Sequence, residues 1–319
     1  MAGILVVAEK NDGAVTPASL ELLGAARQLS SQGAGPISAF ITGSQDDAQT
    51  LIAHGADTVY TSDAPEGSLA EVLVPAVEEA VQASGADIVL ITMSSLGRDL
   101  GPALAFRLKT GVAMDCTALE IQGGRLRATR SCYGGNARAE HTWTTPIQVA
   151  TVKAKTFDIP EADNSRSGTV TPVTAKGEAR IQVLATEKAE AEGVKLEDAD
   201  IVVSGGRGLG DPSGFQMLEQ LAGLLKQAAV GASRAACDLG WYPPSQQVGL
   251  TGKVVSPNLY IAVAISGASQ HMAGMGGSKN IVAINRDPDA NMVKVSRFAI
   301  IEDYKKVVPA LIEEIKKLP

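Results

Sequence analysis

Aromatic residues make up only 4% of this 319-residue chain. Proteins that hold single-stranded nucleic acid stack the bases on such rings, so the shortage argues against that class. Positive charge is scarce as well. Lys and Arg number 28 against 35 Asp and Glu, a net charge of -7, where a phosphate-backbone binder would carry a basic face. The three cysteines, Cys116, Cys132 and Cys237, are an odd number without metal-ligand spacing, which fits free thiols in a reducing compartment. His54, His141 and His271 lie far apart in the chain and suggest no metal site. No apolar run approaches the roughly 18 residues of a bilayer span. The opening Met1-Ala2-Gly3-Ile4-Leu5-Val6-Val7 enters a strand-like segment with no charged leader. The expectation is a soluble, cytoplasmic protein with no metal, no nucleic-acid partner and no membrane insertion.

What the chain does have is length for two domains and a repeated alternation of short apolar runs with amphipathic ones. Strands are predicted at Ile4–Val7, Ile37–Ile41, Thr58–Tyr60 and Ile88–Thr92. Helices are predicted between and after them at Ser19–Leu29, Asp46–Ala53, Leu69–Ala83 and Gly101–Leu108. Beyond Met114 the period falls to two. Ala118–Ile121, Leu126–Ser131, Arg138–Thr144 and Ile147–Val152 read as antiparallel strands with turns such as Gly123-Gly124 and Gly134-Gly135. Pro160–Gly177, rich in Ser, Thr, Asp and Pro, reads as a linker or extended excursion.

The α/β alternation restarts at Ile201–Val203. It continues through a helix at Gly214–Gln227, strands at Ala228–Val230, Tyr260–Ile265 and Ile281–Ile284, and a last helix at Asp303–Leu318. The predicted architecture is therefore α/β, two domains over residues 1–190 and 191–319, each with a mostly parallel sheet flanked by helices.

The last third carries an ordered series of glycine, hydroxyl and basic positions, each just after an apolar run. They are Gly205-Gly206-Arg207-Gly208-Leu209-Gly210, Ser233-Arg234, Gln247-Val248-Gly249-Leu250-Thr251-Gly252-Lys253, and Ile265-Ser266-Gly267-Ala268-Ser269-Gln270-His271. Strand-to-helix corners collect free N–H groups where ligands of open α/β sheets bind, and glycine there admits a phosphate closely. The series fits neither common nucleotide fingerprint. Asp211 stands where G-x-G-x-x-G needs its last glycine, and Val254 follows Lys253 where a phosphate-binding P-loop needs Ser or Thr.

In order and spacing the series resembles the flavin-binding domain of the electron transfer flavoprotein α subunit. The likeness continues through Asp238-Leu239-Gly240-Trp241, Ile281-Val282-Ala283-Ile284-Asn285-Arg286-Asp287-Pro288 and Val307-Val308-Pro309-Ala310-Leu311. It implies a flavodoxin-like or Rossmann-like FAD-binding second domain, with the first domain a docking scaffold for a β subunit.

Each residue so marked also has a plainer reading. Arg207 is either a solvated loop arginine or, as the resemblance implies, a fork for the pyrophosphate beside Gly208. Ser233 and Arg234 are either a helix cap and an i,i+4 partner of Asp238 or, by resemblance, cofactor residues, with Arg234 over the flavin ring, where its charge favours the reduced states. The resemblance implies that Thr251 donates to flavin N5, that the backbone of Gln247, Val248, Gly249, Leu250 and Gly252 faces the ring, and that His271 bonds its pyrimidine end. It places Ser266, Gly267, Ala268, Ser269 and Gln270 in the same cradle. Asn285, Asp303 and Tyr304 would hold the adenosine half, although Asp303 alone reads as a helix N-cap. The chain departs from the family pattern at Leu250, where glutamine is usual, at Ala264, where glycine is usual, and at Ser296-Arg297-Phe298-Ala299.

No acid–base set beside a substrate pocket stands out, which suits an electron carrier rather than a stand-alone enzyme. The resemblance implies a heterodimer carrying electrons from acyl-CoA dehydrogenases of fatty acid β-oxidation, or related flavoprotein dehydrogenases, to a quinone oxidoreductase. The alternatives are an electron-bifurcating complex using NADH and ferredoxin, a nucleotide-binding regulatory module without redox role, and a flavin oxidoreductase with its own small substrate.

Overall fold

The structure is a computed structural model that describes residues 3–133, 137–181, 183–184 and 193–317. The turn expected at Gly134-Gly135 and the domain boundary expected at residue 190 lie outside those residues. The chain divides into two compact units.

The first unit opens with β1 (Gly3–Val7), a small hairpin of β2 (Lys10–Asn11) and β3 (Ala14–Val15), and α1 (Pro17–Ser31). Helix α1 starts where Thr16 accepts the Ser19 N–H and Pro17 fills the first turn. There follow β4 (Ile37–Thr42), α2 (Gln45–Ala53), β5 (Thr58–Ser62), α3 (Ala70–Ser84), β6 (Ala86–Thr92) and α4 (Ser95–Arg107). Beyond these lie β7 (Val112–Gln122), β8 (Arg125–Cys132), β9 (Ala137–His141), β10 (Gln148–Val152) and β11 (Thr169–Pro172). The nine-stranded sheet has the order β11-β5-β4-β1-β6-β10-β7-β8-β9. β1 and β10 are buried along their whole length and β6 at every position but Asp87, the signature of a parallel sheet covered on both faces.

Three expectations are corrected in this unit. Ile147–Val152 was expected among the antiparallel strands. As β10 it runs parallel to both β6 and β7 and is inserted between them; its unbroken burial, not period two, is the relevant signal. Within the nine-stranded sheet only the β7–β8 and β8–β9 pairings are antiparallel. Helix α4 begins six residues before Gly101, because Ser94 accepts the Gly97 N–H and starts it early. For residues 160–177 the linker reading gives way to the extended one, because Thr169–Pro172 form β11, which pairs with β5 at the sheet edge.

The second unit contains β12 (Ile201–Gly205), α5 (Gly214–Gly223), β13 (Ala228–Ser233), α6 (Arg234–Asp238), β14 (Gln247–Val248) and β15 (Leu259–Val263), followed by α7 (Ser269–Met275), β16 (Asn280–Asn285), α8 (Asn291–Val295), β17 (Phe298–Ile301) and α9 (Tyr304–Ile315). Its sheet order is β14-β13-β12-β15-β16-β17, every pair parallel. Counted from β12 this is 3-2-1-4-5-6, the doubly wound dinucleotide-binding order. Helix α5 stops at Gly223, short of the predicted Gln227, which has a left-handed φ of 52°. The two-residue β14 and the exposed edge strand β17 had no predicted counterpart.

Candidate functional site

Six parallel strands deliver every following loop to one edge of the sheet. The chain walks outward from β12 to β14, then returns beside β12 with β15, so the crevice at their carboxyl ends is the topological switch point. The glycine and hydroxyl blocks of the sequence stand on that edge.

At the switch point the chain turns through Gly206 into a short 3-10 turn, Arg207–Leu209. A Cβ on Gly206 would stand 2.2 Å from the Ala264 carbonyl oxygen and one on Gly208 2.8 Å from it. The loops after β12 and β15 are therefore in backbone contact, and the Gly208 N–H reaches Ala264 O at 3.3 Å. Ala264 itself has φ 54°, a left-handed conformation that glycine adopts without strain and alanine does not. Beside these loops lies a cleft of ≈ 290 Å³ lined by Gly208, Ala264, Asn285, Arg286, Glu302 and Tyr304, among others.

Arg207 is exposed, and while its carbonyl accepts from the Gly210 N–H at 3.1 Å, its side chain has no hydrogen bond or ion pair among the described residues. By contrast, Arg286 lies 3.6 Å from Asp303, whose carboxylate also caps α9 by accepting the Lys305 N–H at 2.9 Å. The Tyr304 hydroxyl donates to Leu209 O at 2.8 Å, which ties the start of α9 to the 3-10 turn. Asn285 donates to Ile265 O at 2.9 Å and accepts from the Asp287 N–H at 3.0 Å. Asn285 and Tyr304 thus brace the cleft as well as lining it, while Asp303 acts on it through Arg286 and the start of α9.

A second part of the edge is the loop after β14. Gly249, at φ 149°, and Gly252 let it fold back so that Lys253 N–H bonds Gln247 O at 2.7 Å and Leu250 N–H bonds Gln270 O at 2.8 Å. Thr251 Oγ1 accepts from Gln247 Nε2 at 3.1 Å, so its own proton is free for another acceptor. Leu250 is 65% exposed. Lys253 is paired with Glu197. Sequence reasoning missed Gly274 here: a Cβ on it would stand 2.4 Å from Gly249 Cα, so this glycine lets α7 pack against the loop. Its only sequence signal is a glycine inside a helical pattern.

Ser266, Ala268, Ser269 and Gln270 are exposed, whereas Gly267, at φ 80°, is buried with a Cβ position 2.3 Å from Met292 N. His271 turns inward. Its Nε2 lies 2.9 Å from the Tyr260 hydroxyl, and its buried Nδ1 makes no well-formed hydrogen bond. Desolvation lowers its pKa to about 4, only partly offset by the Val248 backbone. The imidazole is neutral at neutral pH.

Ser233 stands at the N-cap of α6, but its hydroxyl makes no cap bond and is buried without a partner among the described residues. The capping reading of Ser233 is corrected accordingly. Arg234 does pair with Asp238, at 3.4 Å, with both side chains more than 60% exposed. Such a pair is worth well under 1 kcal/mol.

Comparison with known proteins matches residues 4–178 to the family described as the electron transfer flavoprotein domain and residues 195–276 to the electron transfer flavoprotein FAD-binding domain. The chain is 41% identical to the electron transfer flavoprotein subunit alpha of Thermoanaerobacterium thermosaccharolyticum, over 99% of this chain and 98% of that one. It is 39% identical to the protein of the same name from Bacillus subtilis, over 99% and 98%. To the protein FixB of Clostridium saccharobutylicum it is 36% identical, over 99% and 97%.

Proposed function

The chain belongs to the electron transfer flavoprotein α-subunit family, with its FAD-binding domain in the second unit, and from that premise we propose that it pairs with a β subunit and carries electrons from acyl-CoA or related flavoprotein dehydrogenases to a quinone oxidoreductase. The observation that supports this most is the glycine-lined switch-point edge with an uncommitted arginine, Arg207. The residues fit an FAD. Gly206 and Gly208 leave no room for a side chain, the cleft of ≈ 290 Å³ adjoins them, and Ser233 keeps a hydroxyl without a partner among the described residues.

In this reading Arg207 and the N–H groups of the 205–210 turn hold the pyrophosphate by charge-assisted hydrogen bonds. Asn285, Asp303 and Tyr304 border the adenosine half. The 247–252 loop, with the free Thr251 proton, and the 266–271 turn enclose the ring, and Arg234 supplies a fixed positive charge. Bound FAD supplies the redox chemistry, accepting and releasing electrons one or two at a time. The chain's own residues orient it, exclude water and set its potential. The first unit serves as the docking scaffold for the β subunit.

The test is co-expression with the β subunit. A yellow 1:1 complex that is reduced by an acyl-CoA dehydrogenase with its substrate, and reoxidised by a quinone oxidoreductase, is expected. NADH-driven reduction of ferredoxin by the complex would overturn the donor and acceptor assignment. A complex that holds no flavin would overturn the reading itself.

A further inference from the structure

The first unit repeats the start of the second unit's topology with opposite electrostatics. Its strands β5, β4, β1 and β6 stand in the order 3-2-1-4, all parallel. A switch point therefore falls between β1 and β6, and a cleft of ≈ 270 Å³ lies at their carboxyl ends. Its floor is apolar, formed by Val7, Phe40, Leu73 and Leu100. Its polar lining includes the Glu9 carboxylate beside Thr42, Glu66, Ser68, Ser95 and Asp99. Glu9 Oε1 accepts from Thr92 Oγ1 at 2.5 Å and Ser94 Oγ at 2.7 Å, while Oε2 has no hydrogen bond among the described residues.

Thr92 and Ser94 satisfy Oε1, but Oε2 is left open to the cleft's solvent, where it can accept a further donor or a positive charge. Among the described residues none supplies it. Lys10, the one basic residue lining the cleft, is 2.8 Å from Asp47 and 4.0 Å from Glu66, and Asp99 adds a further negative charge at the mouth. Among the described residues that line the cleft, no other arginine or lysine stands ready to meet a phosphate. Desolvation raises the Glu9 pKa, as expected of a carboxyl lacking a counter-charge.

We propose that this cleft is a second binding site, for a small organic cation: a protonated amine or amidine on an apolar body, its N–H groups on Glu9 Oε2 and its body against Phe40, Leu73 and Leu100. The proposal goes beyond the flavin reading and is argued without it; the loaded complex serves as the protein's working form, and its flavin spectrum reports separately on that reading.

The probe is benzamidine, titrated calorimetrically into the complex with the β subunit, FAD loaded, with neutral benzamide as its uncharged isostere. Saturable 1:1 binding of benzamidine is expected, with benzamide weaker by roughly tenfold or more for loss of a charge-assisted pair. Glu9→Gln should abolish the preference. Absence of benzamidine binding overturns the proposal, as does equal binding of benzamide, which needs no variant to be measured. Displacement of benzamidine by AMP overturns it too, because it would show a phosphate-tolerant site.

Discussion

The Tyr260 hydroxyl and His271 Nε2 are 2.9 Å apart inside the second unit, Tyr260 fully buried and His271 nearly so. Buried pairs of this kind make a histidine a stability sensor rather than a surface charge. With the folded pKa lowered to about 4 from 6.5, the unfolded chain binds more protons between those values, and stability must fall as pH falls through that window. Thermal melts of the complex should show a loss on the order of 3 kcal/mol from pH 7 to pH 4 attributable to this site. His271→Gln should flatten the acid limb. An unchanged limb would show that His271 is not the group responsible.

Thr251→Ala removes one hydroxyl from a loop whose shape is set by glycines and by the Lys253–Gln247 and Leu250–Gln270 backbone bonds. Folding should persist. A neutral hydrogen bond of about 0.5 to 1.5 kcal/mol lost to the bound flavin should shift its spectrum and midpoint potential modestly. Identical spectra and potentials would place Thr251 outside the flavin's reach.

Arg234→Ala separates two roles for one side chain. The exposed pair with Asp238 predicts almost no stability change. A positive charge about 4 Å from the reduced ring would be worth up to roughly 4 kcal/mol at an effective dielectric of 20, so its loss should lower the midpoint potential while FAD stays bound. An unchanged potential in an equilibrium redox titration removes Arg234 from the flavin site.

Ala264→Gly should stabilise the second unit. The left-handed backbone at φ 54° costs alanine on the order of 1 kcal/mol, more than glycine loses through its freer unfolded chain. A melting temperature raised by a few degrees is the expected result. A lowered one would mean that packing of the Ala264 methyl against Gly208 outweighs the strain.

The second sheet was legible because β12, β13 and β15 are compact apolar runs followed within a few residues by glycine or a hydroxyl, and β16 is an apolar run closed by Asn285, so period and punctuation agree. The residues proposed for the flavin stand at those same strand ends. Three things were not. β10 is buried on both faces, and a short buried strand carries no periodicity to say which way it runs. β11, with Thr169 and Pro172 at its ends, is an exposed edge strand and needs no apolar face. The inward turn of His271 depends on Tyr260, a partner eleven residues earlier on a neighbouring strand, and on burial that no local pattern encodes.

The insertion of β10 between β6 and β7 also orders events in time. Residues 86–92 and 112–122 flank a gap that only residues 148–152 can fill, so a nascent or truncated chain ending before Gln148 exposes two unpaired strand edges at the centre of its sheet. Closing that gap late, across long loops, makes the first unit the slower of the two to refold and the more exposed to aggregation while it does. Pulse-labelled hydrogen exchange would register this as protection appearing in β12 to β16 before β6 and β10.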